Sequence, residues 1–341
     1  MRFRSGSTLV AALLAAAVVA TAASAAEGEA VGVGFRRIAT VDPVTRVAFD
    51  AGAFYPSGQP SRGQSFGPYD VEATLGADVA DVRHPIVLIS HGNGGGPFSH
   101  HDLATGLARR GAIVVVVSHP GDDHRDQSGT GGTGVIFGRP AQISAALDAV
   151  LADAAIGPRA DAARVGFLGF SAGGTTGLLL AGAKPELSRL EAYCAERPRE
   201  PGVCEAGGRI RRDRAEPATS VDRRIGALAL IAPLSVVFPA EEIGRIELPV
   251  GVWVGGADRV LAPEPNALAL AQALPGRPAV RVEPEAGHFT YLAPCSARLA
   301  ASVPALCRDG AGIDRAALHR RLIAEIGDFF ARSLVRRTPP G

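Results

Sequence analysis

Short apolar runs alternate with longer amphipathic stretches along most of the chain. The runs are rich in Val, Ile and Leu, as strands buried on both faces of a parallel sheet are. We predict strands in six of these runs, at residues 84–92, 112–120, 163–170, 225–233, 248–256 and 278–284. An antiparallel hairpin around Asp42 and Pro43 is predicted upstream of them, from residues 35–42 and 45–56.

The stretches between these runs carry apolar residues at helical spacing. We predict helices at residues 98–111, 139–155, 172–183 and 314–334. The second helix would begin at Arg139, with Pro140 in its first turn, where proline is well tolerated. This alternation predicts an α/β fold in which helices cover both faces of a mostly parallel central sheet.

Two polar segments interrupt the alternation. Residues 121–138 form a glycine-rich stretch after a strand, and residues 184–224 form a charged segment that contains proline. Loops that follow the carboxyl ends of strands usually build the site in sheets of this type. We predict a site loop for the first segment and a small cap-like insertion for the second, with solvated surface as the alternative for residues 205–220.

The N-terminus differs in pattern from the rest of the chain. Two arginines precede an apolar run that ends in Ala23-Ser24-Ala25, a pattern typical of a secretory signal peptide. We predict a signal peptide at residues 1–25, one domain at residues 26–341, and export to the periplasm or the cell exterior. The run is short for a membrane span, so no stable membrane anchor is expected; an uncleaved anchor is the alternative.

Composition narrows the class of protein. The 341 residues are 47% apolar and 20% charged, which is typical of a globular protein, and the net charge of +1 gives no reason to expect a nucleic-acid partner.

Four cysteines fit export to an oxidising compartment. Three pairings are open, and the local ones are favoured because each closes a short loop: Cys194 with Cys204, and Cys295 with Cys307. Free buried thiols are the alternative.

A G-x-S-x-G pattern surrounds Ser171, between a predicted strand and a predicted helix. In that context the pattern indicates a nucleophile elbow, a sharp turn that lifts the serine hydroxyl above the sheet. Small flanking residues are needed because strand and helix crowd the turn. The helix would begin there, so the Ala172 N–H is a predicted donor to a developing oxyanion.

A second glycine-rich stretch, ISHGNGGG at residues 89–96, also follows a predicted strand. Backbone N–H groups in such a loop can face a pocket. We predict Asn93 N–H as the second oxyanion donor, with Gly94 as the nearby alternative. A plain flexible turn or a phosphate loop would be the other interpretations, and the Lys-Ser/Thr of a Walker motif does not follow.

Asp258 and His288 complete the predicted chemistry. Asp258 follows the strand at 248–256, and His288 lies in the loop after the last strand. The order Ser171, Asp258, His288 is the one that the α/β-hydrolase arrangement requires, with the acid orienting the histidine and the histidine acting as base. A turn or capping role for the aspartate and a structural role for the histidine are the alternatives.

Further histidines and aspartates could suggest a metal site, but they lack recognised ligand spacings, so no metal is expected. They are His100, His101, His119, Asp122, Asp123 and His124. Trp253 lies inside a predicted strand and is assigned to the core.

Seven segments together resemble the secreted bacterial predicted dienelactone hydrolases, which are α/β-hydrolases related to the plasma-type platelet-activating-factor acetylhydrolases. The resemblance runs from about residue 33 to residue 335, through GAFYP, PIVLISHGNGG, VVVVSHPGDD, RPAQISAALDAVL, VGFLGFSAGG, GGADRVLAP and AGHFTYLAPC…LC. It implies an α/β-hydrolase fold and a serine esterase without metal or organic cofactor. By this resemblance Ser171, Asp258 and His288 take the triad roles, and Asn93 and Ala172 the oxyanion roles.

Two departures from these relatives bear on the substrate. Dienelactone hydrolases proper use a cysteine nucleophile where this chain has Ser171, and the platelet-activating-factor enzymes carry their acid one strand before Asp258. We therefore expect a serine carboxylesterase that acts on short-chain acyl esters, either small molecules or lipid-like. A phospholipid deacylase or polyester hydrolase is the alternative, and a non-catalytic binding protein on the same fold is a more distant one.

Overall fold

The computed structural model describes residues 32–197, 203–204 and 208–335. The predicted signal peptide lies outside these ranges. The strands are β1 (Gly32–Val41), β2 (Ala48–Ser57), β3 (Gly63–Phe66), β4 (Tyr69–Glu72), β5 (Thr74–Leu75), β6 (His84–Ser90), β7 (Ile113–Val117), β8 (Ala160–Phe170), β9 (Ile225–Ile231), β10 (Val250–Gly255) and β11 (Val280–Glu283). The helices are α1 (His101–Arg109), α2 (Thr133–Ala152), α3 (Ala172–Leu180), α4 (Ser188–Glu196), α5 (Ala240–Ile243), α6 (Ala269–Ala273), α7 (Ala297–Ser302) and α8 (Arg315–Ser333).

A nine-stranded sheet forms the centre of the fold, in the order β11-β10-β9-β8-β6-β7-β2-β1-β5. The pairs from β7 to β11 are all parallel, and the β1–β2 hairpin joins β7 in antiparallel fashion. The register pairs Ser90 with Gly169 and Phe170 with Ile231. The carboxyl ends of β6, β8 and β9 therefore meet at one edge of the sheet, near its middle.

Helices cover both faces of this sheet. Helix α1 packs with α8, and α2 packs with α3, while every residue of β7 is buried between them. The fully buried branched side chains of the inner strands form one continuous core. The predicted α/β fold with a mostly parallel sheet is confirmed.

Helix α2 begins earlier than the sequence pattern predicts. Thr133 is its first residue, so Pro140 lies inside the helix rather than in its first turn, and residues 133–138 are helical rather than part of a loop. The prediction was wrong because distant residues supply the acceptors at this helix start. Thr133 N–H donates to the carbonyl of Arg211 at 2.9 Å, and Gly134 N–H donates to the Asp213 carboxylate at 2.7 Å.

The segment at 184–224 contains α4 and a disulfide between Cys194 and Cys204. Its later part lies against the loop before α2, where Arg211 Nη1 donates to the carbonyl of Thr130 at 2.8 Å. The Thr130 hydroxyl in turn contacts Asn93. The insertion therefore supports the edge of the sheet where the predicted site lies.

A second disulfide joins Cys295 to Cys307. It closes the loop that follows the 3-10 turn His288–Tyr291. Two disulfides fit an exported protein, since such bonds persist in oxidising compartments.

Within the described ranges, α2 is the one helix with the length and apolar character of a membrane span. Half of its most apolar window is buried inside the fold, where it packs against β1 and α3. Length and apolar character alone do not distinguish a core helix of a globular protein from a membrane-spanning helix.

Candidate active site

Ser171 occupies the corner between β8 and α3. Its backbone has φ 55° and ψ −117°, a conformation that is costly for a residue with a side chain. Three hydrogen bonds hold it there. Ser171 N–H donates to the carbonyl of Ile231 at 3.0 Å, and the Ser171 carbonyl accepts from Gly174 N–H at 2.8 Å and Leu234 N–H at 3.0 Å. The neighbouring strand and the following helix thus impose the turn.

Glycines around this corner permit the close packing. A Cβ on Gly169 would lie 2.3 Å from the carbonyl oxygen of Gly173, and one on Gly173 would lie 2.1 Å from that of Ser90. A Cβ on Gly92 would lie 3.1 Å from the Ser171 Cβ. The residues that flank the serine must be small because strand, helix and the 91–96 loop all converge here.

Ala172 is the first residue of α3, so its N–H has no acceptor within the helix. The partial positive charge of a helix N-terminus adds to that of the N–H group itself. Such a group, directly after a serine, can stabilise negative charge that develops on an ester oxygen.

Asp258 and His288 are joined by a hydrogen bond. His288 Nδ1 lies 2.7 Å from Asp258 Oδ2, and both side chains are almost fully buried, with exposed fractions of 3% and 0%. The other carboxylate oxygen accepts from the N–H groups of Val260 and Leu261, each at 2.9 Å. An ionised carboxylate can only accept, so Nδ1 is the donor in this contact, and Nε2 is the ring nitrogen that is left to act as a base.

The His288 ring lies close to the serine corner. Its centroid is 4.8 Å from that of the Phe170 ring, and Phe170 is the residue before Ser171. The turn His288–Tyr291 begins at Gly287, whose N–H donates to the Thr290 hydroxyl at 3.2 Å. The structure thus gathers the three predicted triad residues at the carboxyl edge of the sheet.

The 91–96 loop approaches Ser171 from β6. Gly92 packs against the serine side chain, and Gly94 has φ 64°, which glycine adopts without strain. The amide nitrogen of the Asn93 side chain is already engaged, because Nδ2 donates to Asp122 Oδ1 and to the Thr130 hydroxyl. Only the backbone N–H of Asn93 is thus left for the predicted oxyanion role.

Comparison with known proteins gives one kind of match. No family model matches the chain, and no curated protein matches it. Among solved structures, a ferulic acid esterase from Streptomyces cinnamoneus is similar over 93% of this chain and 94% of its own, with a TM-score of 0.59 and 21% sequence identity. This is an α/β-hydrolase fold. The resemblance to dienelactone hydrolases and platelet-activating-factor acetylhydrolases stays a prediction.

In this α/β-hydrolase fold, an ion pair that sequence analysis missed lies under the 91–96 loop. Arg139 Nη2 is 3.0 Å from Asp122 Oδ2, with both side chains nearly inaccessible, at 3% and 4% exposed. Arg139 also donates to the carbonyls of His91, at 2.8 Å, and Gly92, at 3.3 Å. Local pattern gave no signal for it, since Arg139 was assigned to the start of a helix.

A second missed pair lies behind the His288 turn. His319 Nε2 contacts the carbonyl of Thr290 at 2.9 Å, and His319 Nδ1 contacts the Asp102 carboxylate. Burial alone would lower the pKa of His319, but the charge of Asp102 and these hydrogen bonds raise it above its ordinary value. Because both ring nitrogens face acceptors, the charged imidazolium satisfies both contacts.

Two of the residues considered for a metal have other partners. His119 contacts Ser90 Oγ at 2.9 Å and Gln142 Oε1 at 2.7 Å, and Asp123 bonds to Ser118 and Arg125. Across the residues that the structure describes, no group of three His, Cys, Asp or Glu side chains is arranged to hold a metal ion. Trp253 is buried in β10, as predicted.

Proposed function

We propose that the protein is a serine esterase that cleaves carboxylic esters through an acyl-enzyme on Ser171. The observation that carries the proposal is the 2.7 Å hydrogen bond between His288 and Asp258 beside the serine corner. The centroid of the His288 ring lies 4.8 Å from that of Phe170, the residue before Ser171. The costly backbone conformation at Ser171 supports it, since such strain persists mainly at functional sites.

In the first half-reaction His288 Nε2 takes the proton of the Ser171 hydroxyl while Oγ attacks the ester carbonyl carbon. The carbonyl π electrons move to oxygen, and the N–H groups of Ala172 and Asn93 stabilise the resulting oxyanion. Asp258 stabilises the imidazolium that forms. Collapse of the intermediate breaks the bond to the alcohol, which leaves with the proton from His288.

In the second half-reaction water replaces the alcohol. His288 takes a proton from the water as its oxygen attacks the acyl carbon. The second tetrahedral intermediate then releases the carboxylic acid, and His288 returns the proton to Ser171 Oγ. No redox change occurs, and no cofactor takes part.

Short acyl esters are the substrates that we propose first. The similar solved structure is named as a ferulic acid esterase, which adds aromatic acyl esters to the substrates worth testing. Lipid-like and polyester substrates share the acyl-enzyme and remain the alternatives. The loop at residues 121–132, which contacts Asn93 through Thr130, and the part of the insertion at Arg211 that contacts this loop would set this preference.

The test compares wild-type protein with Ser171→Ala on p-nitrophenyl acetate, p-nitrophenyl butyrate and methyl ferulate. We expect hydrolysis to fall on the order of 10³-fold or more in the variant, because triad residues act as a unit. Ser302→Ala removes an exposed hydroxyl on α7 and should leave the rates unchanged. Equal rates in Ser171→Ala and wild type would remove Ser171 from the mechanism.

A fluorophosphonate probe separates the esterase from a binding protein on the same fold. We expect a covalent adduct on Ser171 in folded protein, and none in Ser171→Ala or after acid denaturation. Folded protein without an adduct would favour the binding protein. If the protein hydrolyses only one class of bulky ester and no short acyl ester, the proposed preference for short acyl esters is wrong.

Export to the periplasm or the cell exterior belongs to this proposal. The disulfides Cys194–Cys204 and Cys295–Cys307 support it. Fractionation of cells that express the full chain, with mass measurement of the mature N-terminus, tests it. Cleavage after Ala25 is the expected result, and retention in the cytoplasm at full mass would overturn it.

A further inference from the structure

We propose that Arg139 and Asp122 are positioning residues for the oxyanion site, and that the Arg139 guanidinium aims and polarises the Asn93 N–H. The inference rests on the proposed function. It concerns how one backbone N–H is held, and it adds two residues to those that the sequence pattern indicated.

The first step concerns one peptide group. The carbonyl of Gly92 and the N–H of Asn93 belong to the same planar trans peptide, so they point in opposite directions. Arg139 Nη2 donates to that carbonyl at 3.3 Å, and Nη1 donates to the preceding carbonyl, of His91, at 2.8 Å. With its carbonyl held on the Arg139 side, the peptide presents its N–H on the other side.

A second donor contacts the same carbonyl. His91 Nδ1 lies 2.6 Å from the Gly92 oxygen, while His91 Nε2 accepts from His119 N–H at 3.2 Å. This places the ring proton on Nδ1 and makes His91 a neutral donor. Burial, and then the charge of Arg139, hold the pKa of His91 well below its ordinary value. These two side-chain donors, together with the Gly95 N–H, which donates to the same oxygen at 3.2 Å, therefore fix the orientation of the Gly92–Asn93 peptide.

Asp122 binds the side chain of Asn93. One carboxylate oxygen pairs with Arg139 at 3.0 Å, and the other accepts from Asn93 Nδ2 and from the Thr130 hydroxyl, the latter at 2.9 Å. Asn93 is thus held at both backbone and side chain by one ion pair. A buried ion pair costs desolvation that an apolar pair would avoid, so stability alone does not account for this pair.

Polarisation follows from the same contacts. A carbonyl that accepts from a cation draws electron density from its peptide nitrogen, which makes the N–H a stronger donor. An oxyanion carries more charge than the ester carbonyl that precedes it, so the stronger donor favours the transition state over the bound substrate. The pair should therefore affect kcat rather than KM.

The experiment compares Arg139→Gln with Arg164→Gln. Arg164 is a matched control, since it pairs with the buried carboxylate of Asp161 and donates to the backbone carbonyl of Arg83, at the opposite end of the sheet. On p-nitrophenyl butyrate we expect kcat to fall about 30- to 300-fold in Arg139→Gln with KM within about threefold. Arg164→Gln should change kcat less than about threefold.

A second readout separates positioning from general damage. A trifluoromethyl ketone adds to the serine and forms an oxyanion, so its inhibition constant should rise in parallel with the loss of kcat in Arg139→Gln. An unchanged inhibition constant, or equal losses in both glutamine variants, would overturn the proposal. If Arg139→Gln does not fold, Arg139→Lys keeps the charge beside Asp122 and loses the two-pronged contact. Its kcat should fall at least about tenfold, and an unchanged kcat would also overturn the proposal.

A third readout does not require activity. Amide exchange and the nitrogen chemical shift of Asn93 are measured in wild type and in the folded arginine variant. We expect faster exchange and a shifted resonance at Asn93 in the variant alone. If the wild type hydrolyses no ester, the proposed function fails while this measurement still tests the contact; an unperturbed Asn93 amide would refute it.

Discussion

Ser171 and the two loops that face it are held in place by different means. Hydrogen bonds to the backbone and the absence of side chains at Gly169 and Gly173 fix the serine corner. The two loops also have backbone hydrogen bonds, but charged side chains from distant parts of the chain hold them in addition. Arg139 and Asp122 hold the 91–96 loop, and His319 with Asp102 holds the His288 turn.

The serine corner depends on residues that are close in sequence, whereas the side-chain contacts of the two loops join residues that are distant in sequence. The corner is made by consecutive residues, so a strand, a G-x-S-x-G pattern and a helix suffice to predict it. The loop contacts join residues far apart, 48 positions for Arg139 with His91 and 217 for Asp102 with His319. The corner should therefore be sensitive to added volume, and the loops to lost charge.

The largest expected effect comes from adding one methyl group at the corner. In Gly173→Ala the new Cβ would lie 2.1 Å from the Ser90 carbonyl oxygen, which forces the helix start away from β6. We expect esterase activity to fall about 100- to 1,000-fold and the free energy of unfolding to fall about 1–3 kcal/mol. Gly58→Ala, where no atom lies within 4 Å of the new Cβ, is the control. Kinetics and urea denaturation measure both, and near-normal activity in Gly173→Ala would contradict the packing argument.

The next effect is acid destabilisation behind the corner. The His100 ring lies 5.1 Å from the Phe170 ring, and burial lowers the pKa of His100 from 6.5 to about 4. The unfolded chain therefore binds this proton at a higher pH than the folded chain does. Stability should be complete above about pH 6.5 and fall on the order of 3 kcal/mol as the pH drops towards 4.

The variant His100→Leu isolates this contribution. Denaturant titrations between pH 4 and pH 7 should show a shallower loss of stability in the variant than in wild type. Asp102, His101 and His319 also face this ring and titrate, so only the difference between the two proteins is interpreted. Parallel curves would show that His100 does not carry the effect.

A smaller effect on activity is expected at the His288 turn, where stability should depend on pH in the opposite direction. In His319→Gln the Thr290 carbonyl loses its charged donor, so the His288 turn is held less firmly. We expect kcat to fall about tenfold. His84→Gln is the matched control, since the His84 ring also contacts two backbone carbonyls, of Gly111 and Ala80, at the far end of the sheet.

The sign of the pH effect follows from the raised pKa of His319. Its contribution to stability is complete below the pKa of the unfolded ring and is lost as the pH rises through the higher pKa of the folded ring. Wild type should therefore lose stability on the alkaline side of about pH 6.5 more steeply than His319→Gln. Identical alkaline curves would contradict a charged His319.

The smallest effect is expected from the disulfide in the insertion. Replacing Cys194 and Cys204 together by serine should change kcat less than about threefold, while removing a loop constraint worth about 3 kcal/mol. The pair Cys295→Ser and Cys307→Ser lies after the His288 turn and should cost more activity for a similar loss of stability. Equal activities in the two pairs would show that the turn is independent of its disulfide.

The sequence predicts eight of the nine strands of the sheet and the corner at Ser171 because each depends on neighbours in the chain; it does not predict the two-residue strand β5. It fails at Arg139 and Pro140, where the helix start depends on Arg211 and Asp213 from the insertion. His319 has no local signal either, since it lies within an amphipathic helix pattern. The catalytic roles of Ser171, Asp258 and His288 stay predictions.

Trp253, the single tryptophan of the chain, gives this fold a built-in optical reporter. Its indole is 1% exposed in β10, donates to Glu325 of α8 at 2.8 Å, and lies under the guanidinium of Arg281 at 5.0 Å. Its fluorescence therefore arises from one place, where the last helix docks on the strand that leads to Asp258. A red shift of that emission would time the release of α8 from the sheet, separately from the loss of ester hydrolysis.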